Sequence, residues 1–426
     1  MNSLNYKQLP LLFLTLALVA CSDFTNNNKP EANNPPAPGT PAGPQKPLPP
    51  ELQKPNEGEF TKEKMLYNMG LLLTQKVKEY QVEAQVFALG LDGACENLTD
   101  AKWMELQNKY KAALLRFQAL LAAPIGPLED NGNFLIDNIY AWPIVNYCGI
   151  DREVLQSPTE RTPAARLLHT IKGLSALEYL LFEKSLVSVC NSRAYPETKI
   201  WSEKPVLEKR QSRCTMAAGL AKDLEDKTAL LWKAWNPAEG HFAKALVDGS
   251  RYKTAQASLN DFSDHLFRIE VIKDSKLGKP LGRHKDCLSA SCPEQAELRY
   301  SDLSFAAIKE NLSMLQILFW GAKSRDELGF GLDDGLKKLG RSDVADRLHD
   351  AIDRAVKQST QMQNESMQTI LATLDANECA KTTWDSRLVP ACALFQDIRQ
   401  VSILMKSEFL SVFDLRPPKT IEGDND

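Results

Sequence analysis

The sequence predicts an all-α protein, two fused helical bundles behind a disordered, lipidated linker. Three observations predict it. From about Phe60 onward, apolar residues recur at three- and four-residue spacing over runs of about twenty residues or more, the period of a helix with one buried face. Sustained apolar/polar alternation, the mark of a half-buried strand, is hard to find. The runs are joined by short stretches containing Gly, Pro and Asn, as in helical bundles.

The chain opens with a segment outside the fold. Lys7 supplies a positive charge, and the apolar run Leu11–Val19 has secretory length but is too short to span a bilayer as a helix. It ends in LVAC, Leu18 to Cys21, which resembles a bacterial lipobox. That resemblance implies a signal peptide over 1–20, cleavage before Cys21, and lipidation of Cys21. Ser22 at the next position resembles an outer-membrane sorting signal. Residues 21–57 read as a Pro/Asn-rich linker: ten of the chain's 24 prolines fall between Pro30 and Pro55, and so little apolar surface cannot support a core. Its reach is roughly 30 to 100 Å, depending on how much of it is polyproline-like.

The helical runs follow. TKEKMLYNMGLLLTQKVKEYQVEAQVFALGL (61–91) is one amphipathic stretch. DAKWMELQNKYKAALLRFQALLAA (100–123) is another, opening at Asp100, a residue suited to an N-cap. Further helices are expected over 163–186, 204–234, 251–274, 295–320, 341–376 and 388–413. The breaker-rich NPAEGH (236–241) divides the chain into an N-terminal bundle, 58–240, and a C-terminal bundle, 241–416. GLSALEYLLFE (173–183) echoes NLSMLQILFWG (311–321), as a duplicated bundle would. The tail 417–426 is polar and is expected to fray.

Nine cysteines are present, and setting Cys21 aside leaves eight, an even number that suits four disulfides in an oxidising compartment. Pairing of sequence neighbours, Cys95–Cys148, Cys190–Cys214, Cys287–Cys292 and Cys379–Cys392, is the expectation adopted from among about a hundred connectivities. No CxxC argues for zinc.

The balance of 51 basic against 55 acidic residues, without a basic stripe, excludes a typical nucleic-acid binder. HExxH, Walker and GxSxG motifs are absent, and the glycines of GFGLDDG (329–335) have the wrong spacing for a dinucleotide loop. Asp261 and His265 stand at i, i+4 in DFSDHLFRIE and form the edge of a candidate metal site, with a solvated helix face as the plainer reading. The most informative residue is Glu178. In KGLSALEYLLFE it lies on the stripe formed by Leu174, Leu177 and Leu181. A buried carboxylate has to be paired, protonated or open to a wet cleft. Ser175, one turn earlier, an Arg or Lys from a facing helix, and a ligand or metal bound in the cleft are its candidate partners.

Residues 173–182 also carry a resemblance. They are similar to the GxHxxE signature of the imelysin-like family, with Gly173 and Glu178 matching and Ser175 in the place of the histidine. YAWPIVNYCGIDREV (140–154), KDSKLGKPLG (273–282) and YSDLSFAAIKENLSMLQILFWG (300–321) resemble other segments of that family, so the likeness covers most of 60–416. It implies a secreted or lipid-anchored bacterial protein of two helical bundles with the signature near their junction. The family is classed with metallopeptidases and tied to iron or haem uptake, so iron, zinc or haem are the cofactors it brings into view. Serine is a poor ligand for a catalytic metal, which weakens the peptidase reading. The expectation is therefore a non-catalytic envelope lipoprotein at the outer membrane. It would face the periplasm or the cell surface, act beside iron- or haem-uptake components, and use Gly173, Ser175 and Glu178 in its pocket. The alternatives are a metal-dependent peptidase recruiting Glu178, Asp261 and His265, and a structural adaptor.

Overall fold

The computed structural model describes Leu52 and residues 54–383 and 386–418. The signal segment, Cys21, most of the linker and most of the tail lie outside the described residues. No β-strand occurs among the described residues, and no helix there is long and apolar enough to cross a membrane.

Two groups of long helices make the frame. In the first, α1 (Lys62–Leu91) starts where the Thr61 hydroxyl accepts from the Lys64 N–H, and it buries Met65, Met69, Leu73, Val77, Tyr80, Ala84, Phe87 and Leu91 along one face. α2 (Asp100–Leu120) is capped by Thr99 rather than Asp100; Asp100 falls in the first turn, where its charge still favours the helix dipole. α5 (Gly173–Phe182) and α7 (Val206–Trp235) complete this group, with α1 against α2 and α7, and α5 against α7 and α2. Every residue of α5 is buried, so this helix has no wet face at all.

The second group contains a π-helical turn (Val271–Gly278), α10 (Ser304–Trp320), α12 (Ser342–Met362) and α15 (Pro390–Leu404). α10 packs on α12, α12 on α15, and α2 of the first group packs on α10, so one apolar core runs through both. Asn68 of α1 crosses over as well, donating to the Gly321 and Phe330 carbonyls beyond the end of α10.

Several expected helices are shorter than their apolar patterns. The run 163–186 contains two single 3₁₀ turns before α5, because Gly173 adopts a left-handed φ of 72° and stops the helix from continuing upstream. The run 251–274 splits into α9 (Ala255–Leu266) and the π-helical turn. Two further helices that the periodicity missed lie beside the seam, α3 (Asp130–Ile139) and α4 (Tyr147–Leu155). α3 is entered through Asn131, Gly132 and Asn133, all left-handed, which for the two asparagines costs about 1 kcal/mol each.

Four disulfides form, in keeping with an exported chain. Cys287–Cys292 and Cys379–Cys392 pair as expected. Cys95–Cys148 and Cys190–Cys214 do not: the bonds are Cys95–Cys214 and Cys148–Cys190. The reason is the antiparallel packing of α1 and α7. It brings the loop after α1 to the start of α7, where Gln211 donates to the Glu96 carbonyl and Arg210 pairs with Asp100. Neighbour pairing overlooked this long-range contact.

Candidate functional site in the seam

The signature segment locks two parts of the chain together. At Gly173 an added Cβ would lie 2.5 Å from the Ile139 carbonyl oxygen, and an isolated antiparallel bridge joins Gly173 to Tyr140. Only glycine fits this close approach at a positive φ. Two residues on, the Ser175 hydroxyl accepts from the Trp142 N–H at 3.2 Å. The first turn of α5 thus holds the segment Tyr140–Trp142–Pro143 in place. Ser175 is committed to that segment rather than to Glu178.

Glu178 is 3% exposed. Its Oε1 accepts three hydrogen bonds of 2.9 Å, from the N–H of Tyr300, the N–H of Ser301 and the hydroxyl of Ser301. These donors precede α10, so the acid ties α5 to the second half of the chain. Burial pushes its carboxyl up to about 7; the Ser301 and Tyr300 donors oppose the rise, and the charge on Glu297 adds to it. Around it Tyr147, Tyr179 and Tyr300 cluster with centroids 5.0–5.5 Å apart, Tyr300 edge to face with the other two. Arg213 lies over Tyr179 and Arg299 over Tyr300.

A second buried acid, Glu297, organises the polar centre of the seam. Its Oε1 accepts from the Tyr140 hydroxyl at 2.6 Å, and its Oε2 meets the Lys276 ammonium at 3.0 Å. Lys276, on the π-helical turn, also donates to Gln118 of α2 and Asn311 of α10, both at 2.8 Å. Its ammonium is therefore enclosed by two hydrogen-bond acceptors and one ion partner. Burial pulls this ammonium down while the Glu297 carboxylate opposes it.

This network floors a cavity of about 350 Å³ between α3 with its following segment and the π-helical turn, within the size range of small-molecule sites. Ile136, Tyr140, Trp142 and Ile272 supply apolar wall. At the rim, Glu129 pairs with Arg268 at 3.5 Å and with His265 at 3.2 Å. Asp137, Asn133 and Ser275 line the same space with side chains that have no protein partner among the described residues. The left-handed run Asn131–Asn133 stands at this rim, and strained backbone gathers at functional sites.

The candidate metal ligands do not converge. Glu178 is committed to Tyr300 and Ser301, whereas Asp261 accepts from the Tyr252 hydroxyl and lies 3.9 Å from His265. No group of three or more His, Cys, Asp or Glu among the described residues is arranged to hold a metal ion. The donor set among the described residues therefore does not fit the catalytic metal that the metallopeptidase classification implies, since Ser175, a weak ligand, stands in the place of the motif histidine.

None of Gly173, Ser175 and Glu178, the residues expected in the pocket, lines the cavity; Glu178 is buried behind it, held by Tyr300 and Ser301, and sequence reasoning missed Lys276, Glu297, Gln118, Asn311 and Asp137. Glu297 carries a weaker form of the signal that exposed Glu178, a charge between the apolar Ala296 and Leu298, whereas Lys276 stands among Lys273, Asp274, Ser275 and Lys279 and gives no such signal.

The fold is shared with known proteins. No curated protein matches the chain. Among solved structures it is similar to an imelysin-like protein from Psychrobacter arcticum, at 15% identity over 84% of this chain and 98% of that one, with a TM-score of 0.59. It is also similar to a candidate iron-regulated protein A precursor from Parabacteroides distasonis, at 13% identity over 83% of this chain and 96% of that one, with a TM-score of 0.59. The imelysin family model matches residues 73–390, three quarters of the sequence, and the chain belongs to the imelysin family.

Proposed function

We propose that the chain is a non-catalytic ligand-binding lipoprotein of the bacterial envelope. It would be anchored through Cys21 to the outer membrane and act beside components of iron or haem uptake. The observation that carries the reading is the seam cavity: two parts of the chain meet around about 350 Å³ of space whose floor is a buried ion pair and whose rim keeps unpartnered polar groups. An ion-paired floor with free rim groups suits holding a ligand rather than transforming one. The iron setting is supported by the family and by the name of the Parabacteroides relative. Glu178 serves this reading as the clamp that keeps the seam closed from behind, and Gly173 and Ser175 set the wall that carries Trp142.

Growth in iron-depleted medium tests it. A strain lacking the protein, supplied with the wild-type chain, should recover. Ser275→Trp, which fills the cavity from the π-helical turn, should not recover, provided its circular dichroism matches wild type. Equal recovery by the filled variant would remove the cavity from the function. Chelator-sensitive peptide cleavage lost in Glu178→Ala would replace the reading with a peptidase.

A further inference from the structure

The charges lining the seam cavity do not cancel, and their pattern selects a ligand. Five charged residues face it: Glu129, Asp137 and Glu297 against Arg268 and Lys276. Glu297 is matched by Lys276 at 3.0 Å, and Glu129 by Arg268 at 3.5 Å with His265 beside it. Lys276 is already enclosed by its own partners, with Glu297 as its counter-ion and Gln118 and Asn311 accepting two of its protons. The charge left over is Asp137, on α3, with neither a hydrogen bond nor an ion pair to any described residue. Four residues before it, in the left-handed entry to α3, stands Asn133, and across the cavity stands Ser275, both also without side-chain partners. Trp142 offers a half-buried indole in the same wall. A carboxylate, two neutral hydrogen-bonding groups and an aromatic surface in one recess are what a small organic ammonium ion needs: a countercharge, acceptors for its remaining protons, and a π surface for its alkyl part.

We propose that the seam cavity binds a small organic cation carrying a primary ammonium group, with Asp137 as its counter-ion and Asn133 and Ser275 as hydrogen-bonding neighbours. This rests on the seam cavity being the ligand site and adds the chemical class of the ligand. Anions are disfavoured, because both positive charges in the lining are already held by carboxylates. Neutral ligands of the same size leave Asp137 without a counter-ion.

Isothermal titration of the mature protein with three probes of equal length tests this: 1,4-diaminobutane, 1,4-butanediol and succinate. The diamine should bind, and the diol and the dicarboxylate should bind at least about tenfold more weakly. Asp137→Asn should weaken the diamine by about tenfold, and added salt should do the same in part. Asp137 sits at the cavity rim on a partly exposed helix face, so Asp137→Lys should also fold; it should abolish diamine binding and admit succinate. Tighter binding of succinate than diamine to wild type, or diamine binding unchanged by both substitutions, overturns the assignment. Binding of none of the three, with Ser275→Trp still failing to restore growth, removes the cation class and leaves the seam cavity as the site. Full restoration of growth by Ser275→Trp removes both.

Discussion

Replacing Glu178 by glutamine removes a buried charge and keeps an oxygen for the Tyr300 and Ser301 donors. The folded chain raises the Glu178 carboxyl from an ordinary 4.5 to about 7, burial being the main cause. The folded state therefore binds this proton more tightly than the unfolded state does. The group's contribution to stability is greatest below about pH 4.5 and is lost as pH rises through about 7. Between pH 5 and pH 8 the loss amounts to about 2.5 kcal/mol. The amide introduced by Glu178→Gln does not titrate, so the variant should lack this loss. Urea unfolding followed by far-ultraviolet circular dichroism at the two pH values measures it. The gap between wild type and Glu178→Gln should move by about 2.5 kcal/mol in favour of the variant at pH 8. Other buried acids such as Asp151, which burial also raises, are common to both proteins and cancel in the comparison. A gap that stays constant within about 0.5 kcal/mol, or moves the other way, refutes the argument that this carboxylate is held against its own desolvation.

Other substitutions test neighbouring parts of the seam. Gly173→Ala should destabilise by about 2–3 kcal/mol in thermal or urea unfolding, since the new Cβ has both a positive φ and the Ile139 carbonyl oxygen to contend with. Lys276→Met should cost about 3–5 kcal/mol by stranding Glu297, and adding Glu297→Gln should restore a good part of it. Replacing both Cys95 and Cys214 by Ser should cost about 5 kcal/mol, because that bond spans 119 residues; the same change at Cys287 and Cys292, five apart, should cost about 2 kcal/mol. Peptide mapping without reduction should recover fragments joined through Cys95–Cys214 and Cys148–Cys190.

The helical character of the chain was legible because long amphipathic runs have few other ways to bury their apolar faces. Glu178 was legible for the same reason, as a carboxylate out of place on an apolar stripe. Its partners were not, because Tyr300 and Ser301 contribute backbone N–H groups, which any residue supplies and no side-chain pattern announces. The echo between α5 and α10 shows the same limit. Gln316 occupies the position corresponding to Glu178, yet it is half-buried and donates to Asp353 of α12. The disulfides that pair across the fold were illegible because the antiparallel register of α1 and α7 is set by packing, whereas the two short-range bonds needed only proximity along the chain. α3 was hidden by its left-handed entry, which breaks the period in the segment that carries Asn133 and Asp137.

Native mass spectrometry of the protein purified from its own envelope without chelator bears most directly on the seam cavity as a ligand site. A small molecule should be bound at one per chain and be absent from Ser275→Trp prepared in the same way. A wild-type spectrum showing only the bare chain under conditions where the protein supports growth, or the same adduct on the filled variant, would contradict it.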